Sequence, residues 1–391
     1  MRITDYTFRG SVKFSTMKIT IRLLLVLFLF VTCSNDDEDF FVSIPDKNFE
    51  QSLIELGIDT DGIINGQVLT SDVSGITELV LVGRGISDLT GIEDFTSLTR
   101  LGCNGNQLTS LDVSNNIGLE ELDCDNNQLT SLDISNNSSL VGLTCSNNPL
   151  RSLDVSNNTS LIWLDCIENQ LTSLDVSNNT SLTRLSCNRN QLTSLDVSSN
   201  SSLTWLVCDE NQLTNLDVSQ NTALTYLKCG GNQLTSLDVS NSTSLIELRC
   251  SGNQLTNLDL SKNTSLEDIY CEYNLLTNLD LSKNTNLKGF LCGFNQLTSL
   301  NFGKNTNLIA GGCYFNQLTS LDISQNTSLE YLQCQGNQFT NLDVSFNTLS
   351  MGFDCRFMPL LTCIKVNQSQ LDNIPSTWIK DPEDTYSLDC N

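Results

Sequence analysis

Most of this chain repeats one phrase every 21 residues. The period is clearest for cysteine, because thirteen of the 16 cysteines, from Cys103 to Cys355, follow one another at intervals of 21 residues without a slip. A fixed period of this length is typical of repeat architectures, in which each unit packs only on its neighbours. The period therefore outweighs the length of 391 residues as a guide to domain organisation.

Each unit contains two short segments of strand-like spacing. In the first, Leu101 and Cys103 lie two residues apart, so both side chains are expected to face the core of a strand. The same spacing recurs ten residues later at Leu111 and Val113. Cysteine is expected to serve here as a small buried apolar residue. An isolated unit buries too little apolar surface to fold, so stacking of neighbouring units must supply the stability.

The spacing LxxLxCxxN of residues 98–106 resembles the leucine-rich repeat, and the nested second half resembles a bacterial leucine-rich subclass. The resemblance implies a mostly β, two-sheeted parallel solenoid of about 13 repeats of 21 residues, with extended chain on both sides. It also implies asparagine ladders, here at the columns of Asn106 and Asn116, that bond the buried backbone of the turns. We therefore predict a leucine-rich-repeat solenoid over residues 98–359.

The N-terminus is interpreted as a targeting segment. Residues 17–33 read "MKITIRLLLVLFLFVTC", a basic start followed by an apolar run that is too short to span a membrane. Residues 1–33 resemble the signal peptide of a bacterial lipoprotein, which implies lipidation of Cys33; residues 1–16 are interpreted as a gene-model extension. The acidic residues that follow resemble the tag that sends Bacteroidetes lipoproteins to the outer face of the outer membrane. The alternative for residues 34–42 is a solvated acidic linker.

Both ends of a solenoid need covers, because they expose apolar surface and unpaired strands. Residues 43–75 are predicted to form an N-terminal cap, with apolar residues at helical spacing around Phe49 and Leu53. Residues 76–97 resemble a transitional repeat of 22 residues of the internalin-like type. Residues 360–391 resemble an irregular C-terminal cap. Cys363 and Cys390 lie outside the 21-residue period and are expected to form a disulfide in an exported protein.

Composition excludes several classes of function. The chain has no histidine, so catalytic arrangements built on imidazole and zinc sites with histidine ligands are both excluded. A net charge of -25 argues against nucleic acid as a partner. Although serine and aspartate are abundant, no pair of them stands out as a nucleophile with its base, so we do not expect an enzyme. No motif indicates a cofactor or a metal.

The outward positions of the second segment hardly change from unit to unit. Aspartate recurs from Asp112 to Asp343 with one interruption, Asn301. Uniformity of this kind favours a scaffold role, in which each carboxylate bonds a nearby serine or backbone amide. Weak calcium binding along the row is the alternative, because hard oxygen ligands suit that ion.

The outward positions of the first segment change in nearly every unit, and they define the candidate binding site. Aromatic residues and arginine dominate the energies of protein interfaces, so a row of them indicates a docking surface. In the alternative, the rings only pack against one another along the stack. The predicted ligand-binding residues are Trp163, Arg184, Trp205, Tyr226, Arg249, Tyr270, Tyr273, Phe294, Tyr314, Phe315 and Tyr331.

The sequence thus favours a surface-anchored binding module that recognises a protein through the variable face of the solenoid. A glycan is an alternative ligand, because sugar rings also stack on aromatic side chains. A second alternative is an adhesive or structural spacer on the outer membrane without one defined ligand. The oligomeric state is left open.

Overall fold

A computed structural model describes residues 40–390. The signal-peptide interpretation, the lipidation of Cys33 and most of the acidic linker therefore lie outside the described residues. The N-terminal part contains a short antiparallel pair, β1 (Phe41–Ser43) and β2 (Gln67–Leu69), with helices α1 (Lys47–Glu55) and α2 (Thr70–Val73). Helix α1 begins after Asp46, whose carboxylate accepts hydrogen bonds from the backbone amides of residues 48 and 49.

One parallel sheet of 15 strands runs through the rest of the chain. It begins with β3 (Glu78–Val80), which precedes a 3₁₀ turn at Ile92–Asp94, and it ends with β19 (Trp378–Ile379). The strands between them are β4 (Arg100–Gly102), β5 (Glu121–Asp123), β6 (Gly142–Thr144), β7 (Trp163–Asp165), β8 (Arg184–Ser186), β9 (Trp205–Val207), β10 (Tyr226–Lys228), β11 (Glu247–Arg249), β12 (Asp268–Tyr270), β13 (Gly289–Leu291), β14 (Ala310–Gly312), β15 (Tyr331–Gln333) and β17 (Gly352–Asp354).

Residues one period apart are direct neighbours in this sheet. Leu101 pairs with Leu122, and Leu122 pairs with Leu143, so each of these leucines packs on the equivalent leucine of the next coil. Leu101 and Cys103 are completely buried, as are their counterparts along the stack. The prediction of a parallel leucine-rich-repeat solenoid with a 21-residue coil is therefore confirmed.

Two columns of buried asparagines satisfy the backbone at the turns. The side-chain amide of Asn127 donates to the carbonyls of Cys103 and Cys124, and its oxygen accepts from the amide of Leu108 at 3.0 Å. In the second column, Asn137 donates to the carbonyls of Val113 and Asn116, both at 2.9 Å. Each side-chain NH₂ group thus joins two neighbouring coils, whereas the side-chain oxygen of Asn137 is buried without a hydrogen-bond partner within the described residues.

The second side of the coil is less regular than the predicted second sheet. It pairs as isolated bridges, such as Asp112 with Asp133, and as a three-stranded sheet near the C-terminus. The physical reason is local: the amide of Ser114 bonds the carboxylate of Asp112 at 2.9 Å, and the amide of Asn116 bonds the carbonyl of Val113 at 3.0 Å. Amides that turn inward on their own coil are not available to the next coil. That small sheet comprises β16 (Leu342–Asp343), β18 (Cys363–Lys365) and β20 (Thr385–Ser387).

The C-terminal segment covers the end of the core. The indole nitrogen of Trp378 donates to the carbonyl of Leu349 at 2.9 Å, and its ring packs edge-on against Phe353. Cys363 and Cys390 form a disulfide with their Cα atoms 5.7 Å apart. A short helix, α3 (Gln368–Asp372), lies between strands β18 and β19. Over residues 40–390, no helix has both the length and the apolar character needed to cross a membrane.

Candidate functional site

The variable outward residues of the first segment share one face of the long sheet, which we call the variable face. Within it, Trp163 pairs with Arg184, Arg184 with Trp205, and Trp205 with Tyr226. Trp163, Arg184, Trp205 and Tyr226 are therefore adjacent in space although each is 21 residues from the next. Seven of the eleven lie on the strands: Trp163, Arg184, Trp205, Tyr226, Arg249, Tyr270 and Tyr331.

The aromatic rings on the strands stack on one another and on cations. Trp205 and Tyr226 lie nearly parallel, with ring centroids 3.6 Å apart. The guanidinium of Arg184 lies 5.3 Å from the centre of the Trp205 ring, and the ammonium of Lys228 lies 5.1 Å from the centre of the Tyr226 ring. These four side chains form one continuous layer, in which Arg184 is exposed, the other three are half-buried, and the ring faces are largely covered within the chain.

Glycine in a neighbouring coil makes room where a ring lies flat. A Cβ atom at Gly142 would fall 1.9 Å from the ring of Trp163, and one at Gly352 would fall 3.0 Å from the ring of Tyr331. Trp163 and Tyr331 therefore lie across the glycine of the adjacent strand. These two rings are half-buried and pack on the chain itself. The alternative in which the rings only pack along the stack therefore holds for part of their surface.

A second group of aromatic residues stands in the turn that follows the strand, and we call it the turn column. Tyr273, Phe294 and Phe315 adopt positive φ angles of 54°, 52° and 49°. Their rings stack with centroids 4.4 Å and 4.7 Å apart, and Tyr273 remains 57% exposed. A bulky side chain in the left-handed region costs about 1–2 kcal/mol. Each ring of this exposed stack is therefore present despite an unfavourable backbone conformation.

Tyr314 supports the turn column from the side. Its ring meets Phe294 edge-on at 5.5 Å and occupies the space above Gly293 and Gly312. Its hydroxyl donates to the carboxylate of Glu272 at 3.4 Å. Burial, together with the negative charge of Glu272, raises the pKa of Tyr314 to about 12.

A groove of about 480 Å³ opens between the strand layer and the turn column, and we call it the glycine groove. It exists because Gly230 and Gly231 carry no side chains, whereas the preceding coil has Asp209 and Glu210 at these positions. Its lining residues are Asp209, Glu210, Lys228, Gly230, Gly231, Arg249, Ser251, Tyr270, Glu272 and Tyr273.

The charges around the glycine groove are mostly carboxylates. Arg249 lies 4.3 Å from the centre of the Tyr270 ring and pairs with Glu247 on the same strand. Burial raises the pKa of Asp209, and burial with the nearby Glu247 raises the pKa of Asp268. Both shifts come mainly from burial, which disfavours the charged form of a carboxyl group.

Solved structures of other proteins share this architecture. The functional domain of InlJ from Listeria monocytogenes, which includes a cysteine ladder, is 34% identical, with a TM-score of 0.70 over 84% of this chain and 77% of that chain. The chain belongs to the bacterial internalin-type leucine-rich-repeat proteins. The internalin InlF from Listeria monocytogenes is 24% identical, with a TM-score of 0.71 over 83% of this chain and 96% of that chain.

A third structure extends the fold likeness beyond Listeria. YopM, a leucine-rich effector protein from Yersinia pestis, is 24% identical, with a TM-score of 0.57 over 76% of this chain and 84% of that chain. No protein-family profile matches the chain, and no curated protein sequence matches it either.

The thirteen buried thiols of the internalin-type solenoid form a cysteine ladder. Burial raises their pKa values, to about 12 for Cys103, Cys187 and Cys313. Since the thiolate is the reactive form, these cysteines are packing groups and not reaction centres.

The aspartate row lies on the second side of the solenoid, and its carboxylates bond locally. The hydroxyl and the backbone amide of Ser114 lower the pKa of Asp112, and the same pattern recurs at Asp133 and Asp154. Among residues 40–390, no group of three or more acidic or cysteine side chains is arranged to hold a metal ion.

The residues predicted from the sequence cover only part of the site. Asp209, Glu272 and Gly231 were not among the predicted ligand-binding residues, although all three line the glycine groove. A signal was present: Gly231 and Gly252 stand in the same register as Tyr273, and a glycine beside exposed aromatic residues opens space on the face.

Proposed function

We propose that this internalin-type protein is a binding module that recognises a protein ligand through its variable face. The observation that carries the proposal is the contrast between the two sides of each coil. The second side repeats the same aspartate and serine with few changes, whereas the variable face collects aromatic residues and arginine. Structural demands are the same in every coil, so they do not account for a face that differs from coil to coil.

The turn column supports a protein ligand more strongly than a glycan. Tyr273, Phe294 and Phe315 stack face to face, so the stack presents mainly ring edges to solvent. A sugar ring packs on an aromatic face, and most of these faces are already covered. An apolar ridge of ring edges bordered by charged groups fits the usual anatomy of a protein interface, with an apolar centre and a polar rim.

Other solved leucine-rich repeats fit the same use of the fold. The LRIM1/APL1C structure is a complex of two proteins, and its matched chain is 22% identical to this one with a TM-score of 0.56. This likeness concerns the fold alone. The proposal of a protein ligand for the present chain is therefore based on the residues of its own surface.

The test compares variants on the two sides of the solenoid, using a ligand first captured with the unaltered protein. Trp205→Ala and Tyr226→Ala are expected to weaken binding at least about tenfold, because central aromatic anchors contribute most to interface energies. Both should fold, since Ala310 occupies the same column. Asp154→Asn on the second side is the control, matched to Asn301, and should leave the affinity unchanged. Equal affinities for all these variants would refute binding through the variable face, and failure to capture any ligand would favour the spacer alternative.

We also propose that the protein is exported and anchored at the outer membrane through a lipidated Cys33, as a surface lipoprotein of the Bacteroidetes type. The apolar run before Cys33 and the acidic residues after it support this proposal. The disulfide in the C-terminal cap suits an oxidising compartment. Labelling with radioactive palmitate, followed by membrane fractionation, tests it; Cys33→Ala should remove the label and release the protein, and unchanged labelling would refute it.

A further inference from the structure

One ring at the glycine groove has an open face. Tyr273 ends the stack of the turn column: one face covers Phe294 at 4.4 Å, and the preceding position of the column is Gly252. A Cβ atom added at Gly252 would have only the backbone of Gly231 within 4 Å, so the second face of the Tyr273 ring borders empty space. Within the described residues, neither an aromatic ring nor a cation lies over that face.

The other rings beside this groove have cationic partners. Lys228 covers Tyr226, and Arg249 covers Tyr270 with its guanidinium 4.3 Å from the ring centre. Such contacts are favourable because the face of an aromatic ring carries negative charge density. Tyr273 offers the same chemistry and lacks the cation.

The carboxylates of the glycine groove also favour the binding of a cation. Glu272 accepts hydrogen bonds from the hydroxyls of Ser251, at 2.6 Å, and Tyr314, at 3.4 Å, which leaves acceptor capacity on both oxygens. Asp209 has a buried side-chain oxygen without a hydrogen-bond partner. Of the two cations that line the groove, Arg249 is already paired with Glu247. Lys228, the other, acts on Asp209 through its charge, and Glu210 pairs with Arg189. Within the described residues, no cation forms an ion pair with Glu272.

The charge of the whole chain acts in the same direction. A net charge of -25 attracts cationic groups and repels anionic ones during the approach of a partner. A neutral sugar would use the open ring but would leave Glu272 without a counter-charge. A guanidinium group satisfies both, because it stacks flat on an aromatic ring and donates hydrogen bonds to carboxylates in its own plane.

We propose that the glycine groove receives an arginine side chain of the protein ligand, with the guanidinium stacked on the open face of Tyr273 and hydrogen-bonded to Glu272. This inference rests on the proposed function and specifies the ligand further: the segment that docks on the variable face is basic. The glycines at positions 230 and 231 provide the depth that an arginine side chain requires.

The test uses a defined compound and the purified protein. Nα-acetyl-L-arginine N-methylamide is titrated by ligand-detected NMR, with the corresponding citrulline derivative as a neutral compound of the same shape. We expect the arginine derivative to bind at least about tenfold more tightly, and its affinity to fall as salt is added, because the contact depends on charge.

Variants matched by column then locate the site. Tyr273→Gly and Glu272→Gln should each weaken binding about fivefold or more, and Gly231→Asn should fill the groove and abolish it. All are expected to fold: glycine stands in the same column at Gly252, and asparagine stands there at Asn126 and Asn147. Phe357→Gly is the control, since it removes an exposed ring from the same column away from the groove.

Three outcomes would overturn the inference: equal binding of citrulline and arginine derivatives, no effect of Tyr273→Gly, or saturable binding of N-acetylglucosamine in place of arginine at the same residues. Because the compound is defined in advance, its failure to bind would leave the variable face as a protein-binding surface intact. Conversely, loss of ligand capture by the Trp205 and Tyr226 variants tests the face and not the groove.

Discussion

Single residues in the turn column show that the coil, and not the side chain, determines the backbone conformation at this position. Gly105, Asn126, Glu168 and Tyr273 all occupy this register, and all have positive φ. Glycine adopts this conformation without penalty, asparagine at low cost, and an aromatic residue at the highest cost. The column therefore accepts a ligand-binding side chain only where something outweighs roughly 1–2 kcal/mol. In the turn column, stacking of the aromatic rings supplies part of the free energy that offsets this penalty.

Gly252 gives a direct measure of this penalty. Gly252→Ala should lower the free energy of unfolding by about 1 kcal/mol, because the new Cβ atom disfavours a φ of 68°. Gly252→Asn should cost less, since asparagine tolerates the left-handed region. The new Cβ atom would lie 3.4 Å from its nearest neighbour, so steric crowding is not the cause. Urea unfolding of both variants checks this, and an alanine variant as stable as the asparagine variant would contradict it.

At the scale of elements, the C-terminal cap differs from every other part of the solenoid. It breaks the 21-residue period, places Trp378 beside Phe353 at the end of the core, and is closed by a disulfide. A coil has a neighbour on both sides, whereas the last coil depends on this cap to exclude water.

Removal of the disulfide should therefore loosen the end of the solenoid. Cys363→Ala with Cys390→Ala is expected to lower the unfolding free energy of the cap by about 3 kcal/mol, given a sequence separation of 27 residues. Exposure of the last apolar coil should also favour self-association, which sedimentation would reveal. Reductant should bring the unaltered protein to the same stability and leave the double variant unchanged. Equal stability of oxidised and reduced protein would refute the expectation.

At the scale of the whole molecule, thirteen buried thiols couple stability to alkaline pH. Burial raises the pKa of Cys103 and Cys187 to about 12, whereas thiols of the unfolded chain ionise near pH 8.5, roughly. A group whose pKa is raised by folding contributes its stability below the unfolded pKa and loses it as the pH rises toward the folded pKa.

The protein is thus expected to unfold sharply between about pH 9 and 11. Each thiol contributes a loss of about 1.4 kcal/mol per pH unit in that window, so cooperative unfolding of the ladder makes the slope steep. Replacing Cys187 and Cys208 by alanine should reduce the slope by about two protons, although the substitution lowers stability at neutral pH. Urea unfolding measured from pH 7 to 11 checks this; a slope that does not depend on the number of thiols would contradict the mechanism.

The period and the alternation of apolar residues were sufficient to predict most of the fold. Leu101 and Cys103 face inward, and the asparagine columns bond the turns, because each position has the same neighbours in every coil. The extent of the second sheet was not predictable in this way. It depends on whether an amide such as that of Ser114 bonds its own coil or the next one, and the residue types permit both.

The candidate site was less predictable than the fold. The column positions of Trp205 and Tyr273 follow from the period, so the sequence indicates which side chains share a face. Which ring faces are covered depends on the rotamers of Arg184, Lys228 and Arg249, and these follow no period. The glycine groove likewise needs the structure, because it is a space lined by four coils.

The constant 21-residue register also has an evolutionary consequence. Neighbouring units share most of their amino-acid sequence. Unequal recombination between the corresponding gene segments would therefore insert or delete whole coils, each about 4.8 Å of solenoid. Such an event preserves the cysteine ladder and both asparagine columns. It changes only which variable side chains become neighbours, so a lineage of such proteins can exchange one recognition surface for another while every intermediate remains folded.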